Sequence, residues 1–367
     1  MNTDQLQLKI ALTQLKGIGY KKAMILISEL GSLEKLFAFS VNELHKETGF
    51  SKKLLMEMDR KNALEIAHRE MEFIMKNNVQ VHFILDESYP RRLKQCVDPP
   101  LLIYTKGNVD LNPARTIAIV GTRDATDYGK DLCQLLVADL AEAGVQVISG
   151  LAYGIDICAH KACLSKDLQT IGVLGNGLSS IYPANHRKIA DQMLYNGGLI
   201  SEFLSFTKPD RENFPMRNRI VAGMADATIV IESKQGGGSL ITAELALDYN
   251  RDVFAFPGNV TSPSSEGCNQ LIRESKAHLV SSGQDVLKFM GWQNSSTNKA
   301  AQTTLLLDLE PEEMEIVEQL DGSIEHIDVL ALRMKKPVSA LNVLLLTMEI
   351  KGLIRSFPGS KYGLLTA

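Results

Sequence analysis

From Thr116 onward the chain alternates short apolar runs with amphipathic helical stretches, and few folds accommodate that rhythm. The runs are TIAIV (116–120), VQVIS (145–149), TIGVL (170–174), GGLIS (197–201), ATIVI (227–231) and DVFAF (252–256). Helical patterns follow at 129–142, 154–165, 185–195 and 240–247. Such regular alternation predicts an α/β fold, a doubly wound and mainly parallel sheet. Binding crevices in these sheets lie outside the carboxyl ends of the strands, and every glycine-rich or charged motif of this chain falls there.

The flanks read differently. Residues 1–75 give short helices punctuated by glycine, and LKGIGYKKAMILISELGSLEKLF (15–37) has the turn of a helix-hairpin-helix unit. Gly17 and Gly19 there admit two readings: backbone amides that approach a phosphate, or a tight turn in a small helical bundle. The sheet-forming core is expected over 80–290. The polar run GWQNSSTNKAAQTT predicts a linker over 291–307. Helical patterns at 312–320, 324–334 and 338–353, followed by SFPGSKYGL, predict a winged-helix domain over 308–367. Its third helix is poor in the Arg, Lys, Asn and Gln of a base-reading helix, which favours protein contact or packing.

Composition narrows the class. Across 367 residues, 45% are hydrophobic, 22% are charged and the formal net charge is −4, so a polyanion site must be a local patch on an acidic background. Cys96, Cys133, Cys158, Cys163 and Cys268 are scattered, without C-x-x-C pairs or histidines at ligand spacing; buried thiols and no metal site are expected. The N-terminal stretch lacks the marks of a signal peptide and no apolar run reaches membrane-spanning length, which predicts a cytoplasmic protein without membrane contact.

The densest motif runs from Phe214 to Pro257. Gly236, Gly237 and Gly238 follow a strand and open a helix, so their amides can converge on a phosphate, with Ser239 as the expected N-cap. FPMRNRI puts Phe214 beside Arg217, Asn218 and Arg219; a ring next to paired guanidiniums suits single-stranded nucleic acid, a base stacking while the fork takes phosphate. The alternative is a core Phe with arginines paired to Glu202 or Glu232. GTRDATDYG (121–129) places Arg123 just past a strand end, either clamping an anion or pairing with Asp124 or Asp127. SGLAYGIDICAH holds Asp156 and His160 one helical turn apart; without a G-x-S-x-G nucleophile they read as structural. In LGNGLSSIYPANHRK, Pro183 interrupts the near-fingerprint Gly175, Gly177, Ser180, so a nicotinamide cofactor is not expected, and His186, Arg187 and Lys188 are either solvated surface or an extension of a backbone-tracking groove.

Taken in order, GTRDATDYG, SGLAYGIDICAH, LGNGLSSIYPANHRK, LISEF, FPMRNRIVAG, GGGSLITAELAL, VFAFPG and GCNQLI resemble the DNA processing protein A family, DprA or Smf, over residues 86–290 and more loosely at both ends. The segment DESYPRRLKQCVDPPLLIYTKG fits too. The resemblance implies a Rossmann-like, non-catalytic homodimer without cofactor that binds single-stranded DNA, protects it and loads the RecA recombinase during natural transformation. Its implied DNA contacts are Arg123, Arg211, Phe214, Arg217, Asn218, Gly237, Gly238 and Ser239. For assembly, GCNQLIRESKAHLV puts Leu271 and Ile272 on a short helix and Leu279 and Val280 on an extended run; they form either a two-fold interface or a contact with the 283–290 helix of the same chain. The competing class is an enzyme. GGGSLITAE, with Glu244, is similar to the glycine-rich motif of nucleotide phosphoribohydrolases on the same core.

Overall fold

The computed structural model describes residues 3–293, 310–320, 324–351, 353–357 and 359–364. Most of the expected linker therefore lies outside the described residues. The chain divides into two compact units, Met1–Trp292 and Gln293–Ala367.

The first unit begins with six helices: α1 (Thr3–Thr13), α2 (Tyr20–Leu30), α3 (Leu33–Ala38), α4 (Val41–Thr48), α5 (Lys52–Glu57) and α6 (Arg60–Asn77). Strand β1 (Gln80–Phe83), the short helix α7 (Arg91–Lys94) and β2 (Leu102–Asn108) follow. The alternating region then gives β3 (Thr116–Val120), α8 (Asp127–Glu142), β4 (Gln146–Ser149), α9 (Ile155–Ser165), β5 (Thr170–Val173), α10 (Arg187–Met193) and β6 (Gly197–Ser201). It continues with α11 (Asn213–Met224), β7 (Ala227–Val230), α12 (Gly238–Asp248), β8 (Asp252–Ala255), α13 (Glu266–Arg273), β9 (His278–Leu279) and α14 (Gly283–Phe289).

The nine strands lie in the order β1-β2-β6-β5-β4-β3-β7-β8-β9. From β6 to β9 all neighbours are parallel, whereas β2 joins β6 and β1 joins β2 antiparallel. The strand order reverses between β3 and β7, which opens a crevice at their carboxyl ends. Side chains alternate faces: Ile117, Ile119 and Ile229 join the core beneath α8, α9 and α14, while Ala118, Val120 and Val230 join the core shared with α11, α12 and the N-terminal helices. That second core runs unbroken from Ile10 to Ala277, so the helices of residues 3–77 pack on the sheet rather than forming a separate core. Lys9 pairs with Asp86 at 2.7 Å, and the buried Glu70 accepts bonds from the Ser205 amide and hydroxyl.

The second unit contains α15 (Pro311–Leu320), β10 (Ile324–His326), α16 (Ile327–Met334), α17 (Val338–Ile350), β11 (Ile354–Phe357) and β12 (Lys361–Leu364). Its sheet runs β10-β12-β11, antiparallel throughout, over a core that includes Ile316, Leu330, Leu341, Leu345 and Met348. This is a winged helix. No described helix is long and apolar enough to cross a membrane.

His160 is a structural tie between strands. Its Nδ1 meets Thr170 Oγ1 at 2.8 Å and its Nε2 faces the Gly150 carbonyl, and it does not bond Asp156. Complete burial pulls its pKa down to about 4. Because the folded pKa lies below the unfolded value, His160 favours the fold above about pH 6.5, and that stability is lost as pH falls towards 4. Thermal melts across this range should show wild-type stability falling on acidification. The His160→Gln protein, weaker at neutral pH, should show a shallower fall; parallel curves would remove His160 from the acid response.

Candidate nucleic-acid interface

The crevice at the reversal point is a cleft of about 570 Å³ lined by residues from four segments. The loop after β3 contributes Gly121, Thr122, Arg123 and Asp124, the loop after β4 contributes Gly150 and Ala152, and the first turn of α9 contributes Asp156. The start of α11 adds Arg211, Phe214, Pro215, Arg217 and Asn218; the loop after β7 adds Ser233, Lys234, Gly237, Gly238 and Ser239. All eight DNA-contact residues expected from sequence thus line one cleft.

Backbone bonds hold the first of these loops. Thr122 N–H donates to the Glu232 carbonyl at 2.8 Å, and Ile155 N–H donates to the Thr122 carbonyl at 3.1 Å. Gly154, at φ 77°, has to be glycine, because a Cβ there would run into the Thr122 carbonyl and the Arg123 backbone. Arg123 therefore stands at a fixed point on the rim, exposed, with its guanidinium 5.4 Å from the Phe214 ring centroid. It pairs with neither Asp124 nor Asp127: Asp124 takes Lys234 at 3.0 Å and Asp127 takes Lys130 at 2.8 Å.

The two arginines of FPMRNRI divide their work. Arg219 is the internal one, paired with Glu202 and bonded to the Asp98 carbonyl. Arg217 is also buried, only 6% exposed, yet lines the cleft floor. It donates to the Val173 carbonyl at 2.7 Å and, through Nε, to Asn218 Oδ1 at 3.1 Å. Burial raises the Asp156 carboxyl and lowers the Arg217 guanidinium, and their mutual attraction opposes both shifts. Gly150 leaves the room, since a Cβ there would overlap both groups.

At the far wall, helix α12 starts two residues earlier than the N-cap reading required. Gly237 is the N-cap, and Ser239 lies inside the first turn with its hydroxyl donated to Ser233 Oγ at 2.9 Å. The serine hydroxyl is thus spent internally, and this wall offers the uncapped start of a helix, whose first amides have no intrahelical acceptor.

Beside the cleft, sharing Arg123, Phe214 and Arg217, lies a smaller pocket of about 80 Å³ that also takes in Leu151, Tyr153, Leu174, Gly175, Tyr182 and Pro183. Tyr182 and Phe214 sit with centroids 6.1 Å apart, and Tyr153 stands edge-on to His186 at 4.8 Å. Tyr153, Tyr182 and Lys234 were not singled out from sequence, although both tyrosines lie in the glycine loops SGLAYG and GNGLSSIYP. Of the HRK cluster, His186 is buried and bonds the Leu151 carbonyl at 2.8 Å, holding the two tyrosine loops together, while Arg187 and Lys188 are exposed outside the cleft lining.

Other expected residues fall elsewhere. Glu244 is exposed on α12, outside the cleft and within electrostatic reach of Lys276, so the hydrolase alternative has no carboxylate in the crevice from that motif. Leu271 and Val280 point into the chain's own core; of the four residues expected at a dimer interface, only Leu279, 57% exposed, and the partly exposed Ile272 are open to a partner. They are buried because α13 packs on the sheet and Val280 sits in the core with Val286 of α14. No group of three or more metal-binding side chains occurs among the described residues.

A doubly wound sheet carrying a cationic, ring-flanked cleft at its reversal point, with a helical bundle before it and a winged helix after it, defines a class of nucleic-acid-handling protein. Sequence families give the same order: a SAM-like helix-hairpin-helix tandem matches residues 9–56, DNA recombination-mediator protein A matches 80–291, and the DprA winged helix domain matches 300–360. The chain belongs to the DprA/Smf family. It is 40% identical over 230 residues to DNA processing protein DprA of Streptococcus pneumoniae, covering 63% of this chain and 80% of that one. It is 35% identical over 278 residues to protein Smf of Escherichia coli, covering 74% of each. The X-ray structure of the S. pneumoniae protein superposes with a TM-score of 0.64 at 33% identity, covering 78% of this chain and 97% of that one. DNA processing protein A of Helicobacter pylori, described for its single-stranded DNA binding mode, superposes at 0.53 and 30% identity, covering 58% and 95%.

The buried pair makes a distinct prediction. Arg217→Ala leaves the buried Val173 carbonyl without its donor and removes the guanidinium that faces Asp156, which should cost about 1–3 kcal/mol, whereas Arg123→Ala should leave the melting temperature unchanged. The double variant Asp156→Asn/Arg217→Met should be more stable than Arg217→Ala alone. A fully stable Arg217→Ala protein in thermal melts would show that the pair does not hold the cleft floor.

Proposed function

We propose that this protein binds single-stranded DNA in the cleft, protects the incoming strand and loads the RecA recombinase onto it during natural transformation and recombination, acting in the cytoplasm as a non-catalytic homodimer. The observation that carries the reading is the convergence of Arg123, Arg211, Phe214 and the start of α12 on one crevice. Phosphates would meet Arg123, Arg211 and the amides of Gly238 and Ser239. A base would enter the neighbouring pocket and stack against Phe214 or Tyr182. Arg217 and Asn218 would act from the floor, set in place before the strand arrives. No element of the cleft resembles a groove-reading helix, so sequence preference should be small. Family membership supports a role in DNA processing. Protection of the strand and delivery to RecA extend that role to a cleft built to hold a single strand.

Binding measured at matched salt should favour single-stranded over duplex oligonucleotides. With about four phosphates neutralised, log K should fall with log salt at a slope of about −3. Arg123→Ala should flatten that slope by about 0.7, and Phe214→Ala should weaken binding by about 1–3 kcal/mol without changing it. Duplex bound as tightly as single strand would overturn this reading.

For the dimer, Leu279 on the short edge strand β9 and Ile272 on α13 are the accessible apolar side chains, beside Phe289, whose ring lies 4.3 Å from His278. Ile272→Glu with Leu279→Glu should give a folded monomer in sedimentation that binds short oligonucleotides normally and long ones more weakly. A double variant still dimeric at micromolar concentration would place the interface elsewhere.

A further inference from the structure

Two sulfurs meet where α8 packs against α9, and the cleft uses neither of them. Cys133 stands on α8 and Cys158 on α9, with their Sγ atoms within hydrogen-bonding distance. Cys133 is fully buried in the core beneath the sheet, whereas Cys158 lies on the margin of that core and is partly exposed. The other three cysteines, Cys96, Cys163 and Cys268, are buried.

The pair is polarised. The Cys133 thiol donates to Cys158, and Lys161 and Lys130 stand close enough to favour a thiolate there; burial and Asp131 oppose them, and Cys158 settles at about 7. The bond it donates and its own burial push Cys133 far the other way. Burial also lifts Cys96 to about 11 and Cys163 and Cys268 to about 12. Of the five cysteines, only Cys158 is both accessible and ready to ionise, and it has a second thiol already against it. A low-pKa, accessible thiol beside a shielded partner is the arrangement that oxidants attack selectively.

Both helices leave from the loops that shape the cleft. Cys158 lies two residues beyond Asp156, and its N–H donates to the Gly154 carbonyl at 3.1 Å. The N–H of Ile155, which opens α9, donates to the Thr122 carbonyl at 3.1 Å, beside Arg123. Helix α8 starts from the other end of that same loop, capped by Thr126. A change in the spacing of α8 and α9 at this point is therefore felt by Asp156 on the cleft floor and by Arg123 on its rim.

We propose that Cys158 and Cys133 form a redox-modification site, which a hydroperoxide closes into a disulfide joining α8 to α9, and that this bridge weakens the cleft. The Cys158 thiolate attacks one peroxide oxygen. An S–O bond forms, the O–O bond breaks, and the leaving hydroxide takes up the proton that Cys158 had released, giving a sulfenic acid and one water. Cys158 then carries no charge, so nothing holds the proton on Cys133; its sulfur attacks that of Cys158, the S–S bond forms, the S–O bond breaks, and hydroxide leaves with the Cys133 proton as a second water. Two thiols are oxidised and one peroxide is reduced. Burial keeps Cys133 from the peroxide itself while leaving it in contact with the sulfur it must attack. To bond, the sulfurs must move from hydrogen-bond contact to covalent contact, which draws the first turn of α9 towards α8 and takes Asp156 out of position. The bridge rests on the two cysteines alone; its effect on binding rests on the proposed single-strand reading.

The reduced full-length chain is treated with hydrogen peroxide, digested and mapped by mass spectrometry. Peptides joined through Cys133 and Cys158 are expected, and dithiothreitol should separate them. In the reduced, folded protein, iodoacetamide should label Cys158 about tenfold faster than any other cysteine. Cys133→Ala removes the resolving thiol, so dimedone should trap a sulfenic acid at Cys158; if that variant melts early, Cys158→Ser carries the test and must show no bridge. Oxidised wild type should bind a short single strand about fivefold more weakly than reduced wild type. Dithiothreitol should restore that affinity, and Cys158→Ser should bind equally before and after peroxide. No link between Cys133 and Cys158, a link from Cys133 to Cys163, or a Cys158 link between two chains would overturn the site. A bridge that forms in a binding-competent protein without changing its affinity would overturn the effect on the cleft. Reduced protein that binds no single strand would defeat the reading of the cleft, with the bridge still decided by the peptide map.

Discussion

The cleft depends on one guanidinium kept out of water. Arg217 reaches from α11 to the last carbonyl of β5, lies over Gly150 at the end of β4, and faces Asp156 on α9. Two adjacent strand ends and two helices are referred to that group. Such a pair is expensive to desolvate, and well-packed apolar side chains of similar size would often be as stable. What it provides is position. Asp156 and Arg217 both line the cleft floor, so a floor with fixed charge and fixed hydrogen-bond geometry exists before any ligand arrives. Arg123, exposed on the rim over Phe214, is the complementary case: a cation held near a ring yet free to exchange water for phosphate.

Sequence exposed the sheet readily because its signal is local and repeated. Each strand from β3 to β8 is a short apolar run, and alternation of Ile117 and Ile119 against Ala118 and Val120 serves two cores, which only a sheet covered on both faces needs. The antiparallel strands β1 and β2 lie outside that rhythm, because the connection between them carries Pro90, Pro99 and Pro100 and only one short helix rather than a strand-to-strand crossover helix. The helices of residues 3–77 share their buried core with one face of the sheet, which sequence does not show, because helix periodicity reveals that a face is apolar and not what covers it. At the cleft, residue type and position on a strand end pointed to Arg123, the FPMRNRI segment and the glycine turn with alternatives left open, and the family resemblance added Arg211; the structure brings them to one cleft.

What sequence left open was partnership. Arg217 and Arg219 are two residues apart and look alike, yet only packing decides that Arg219 meets Glu202 and Arg217 meets Asp156. Ser239 has the chemistry of an N-cap, but Gly237 starts the helix and Ser233 takes the hydroxyl. Tyr153 and Tyr182 passed unnoticed because a tyrosine in a loop carries no periodic signal; His186 bonds the Leu151 carbonyl and packs edge-on to Tyr153, so it acts as their spacer rather than as surface charge. Leu271 and Val280 illustrate the same limit at the sheet edge, where an apolar residue after the last strand serves the chain's own core as readily as a partner's surface.

Charge placement then governs how strongly such a protein can hold a strand. With a net charge of −4, the molecule as a whole repels nucleic acid, and attraction acts only within about 8–10 Å of each cationic group at ordinary ionic strength. The cleft is about 570 Å³ and carries few cations, so the pull it can exert on a polyanion is modest and strongly salt-dependent. On the proposed single-strand reading, affinity for a long strand would come from joining contacts, such as a second copy through the exposed edge at Leu279, which turns another weak encounter into an intramolecular one. On that same reading, an acidic body with a local cationic cleft would release a short strand easily and retain a long one bound at two points.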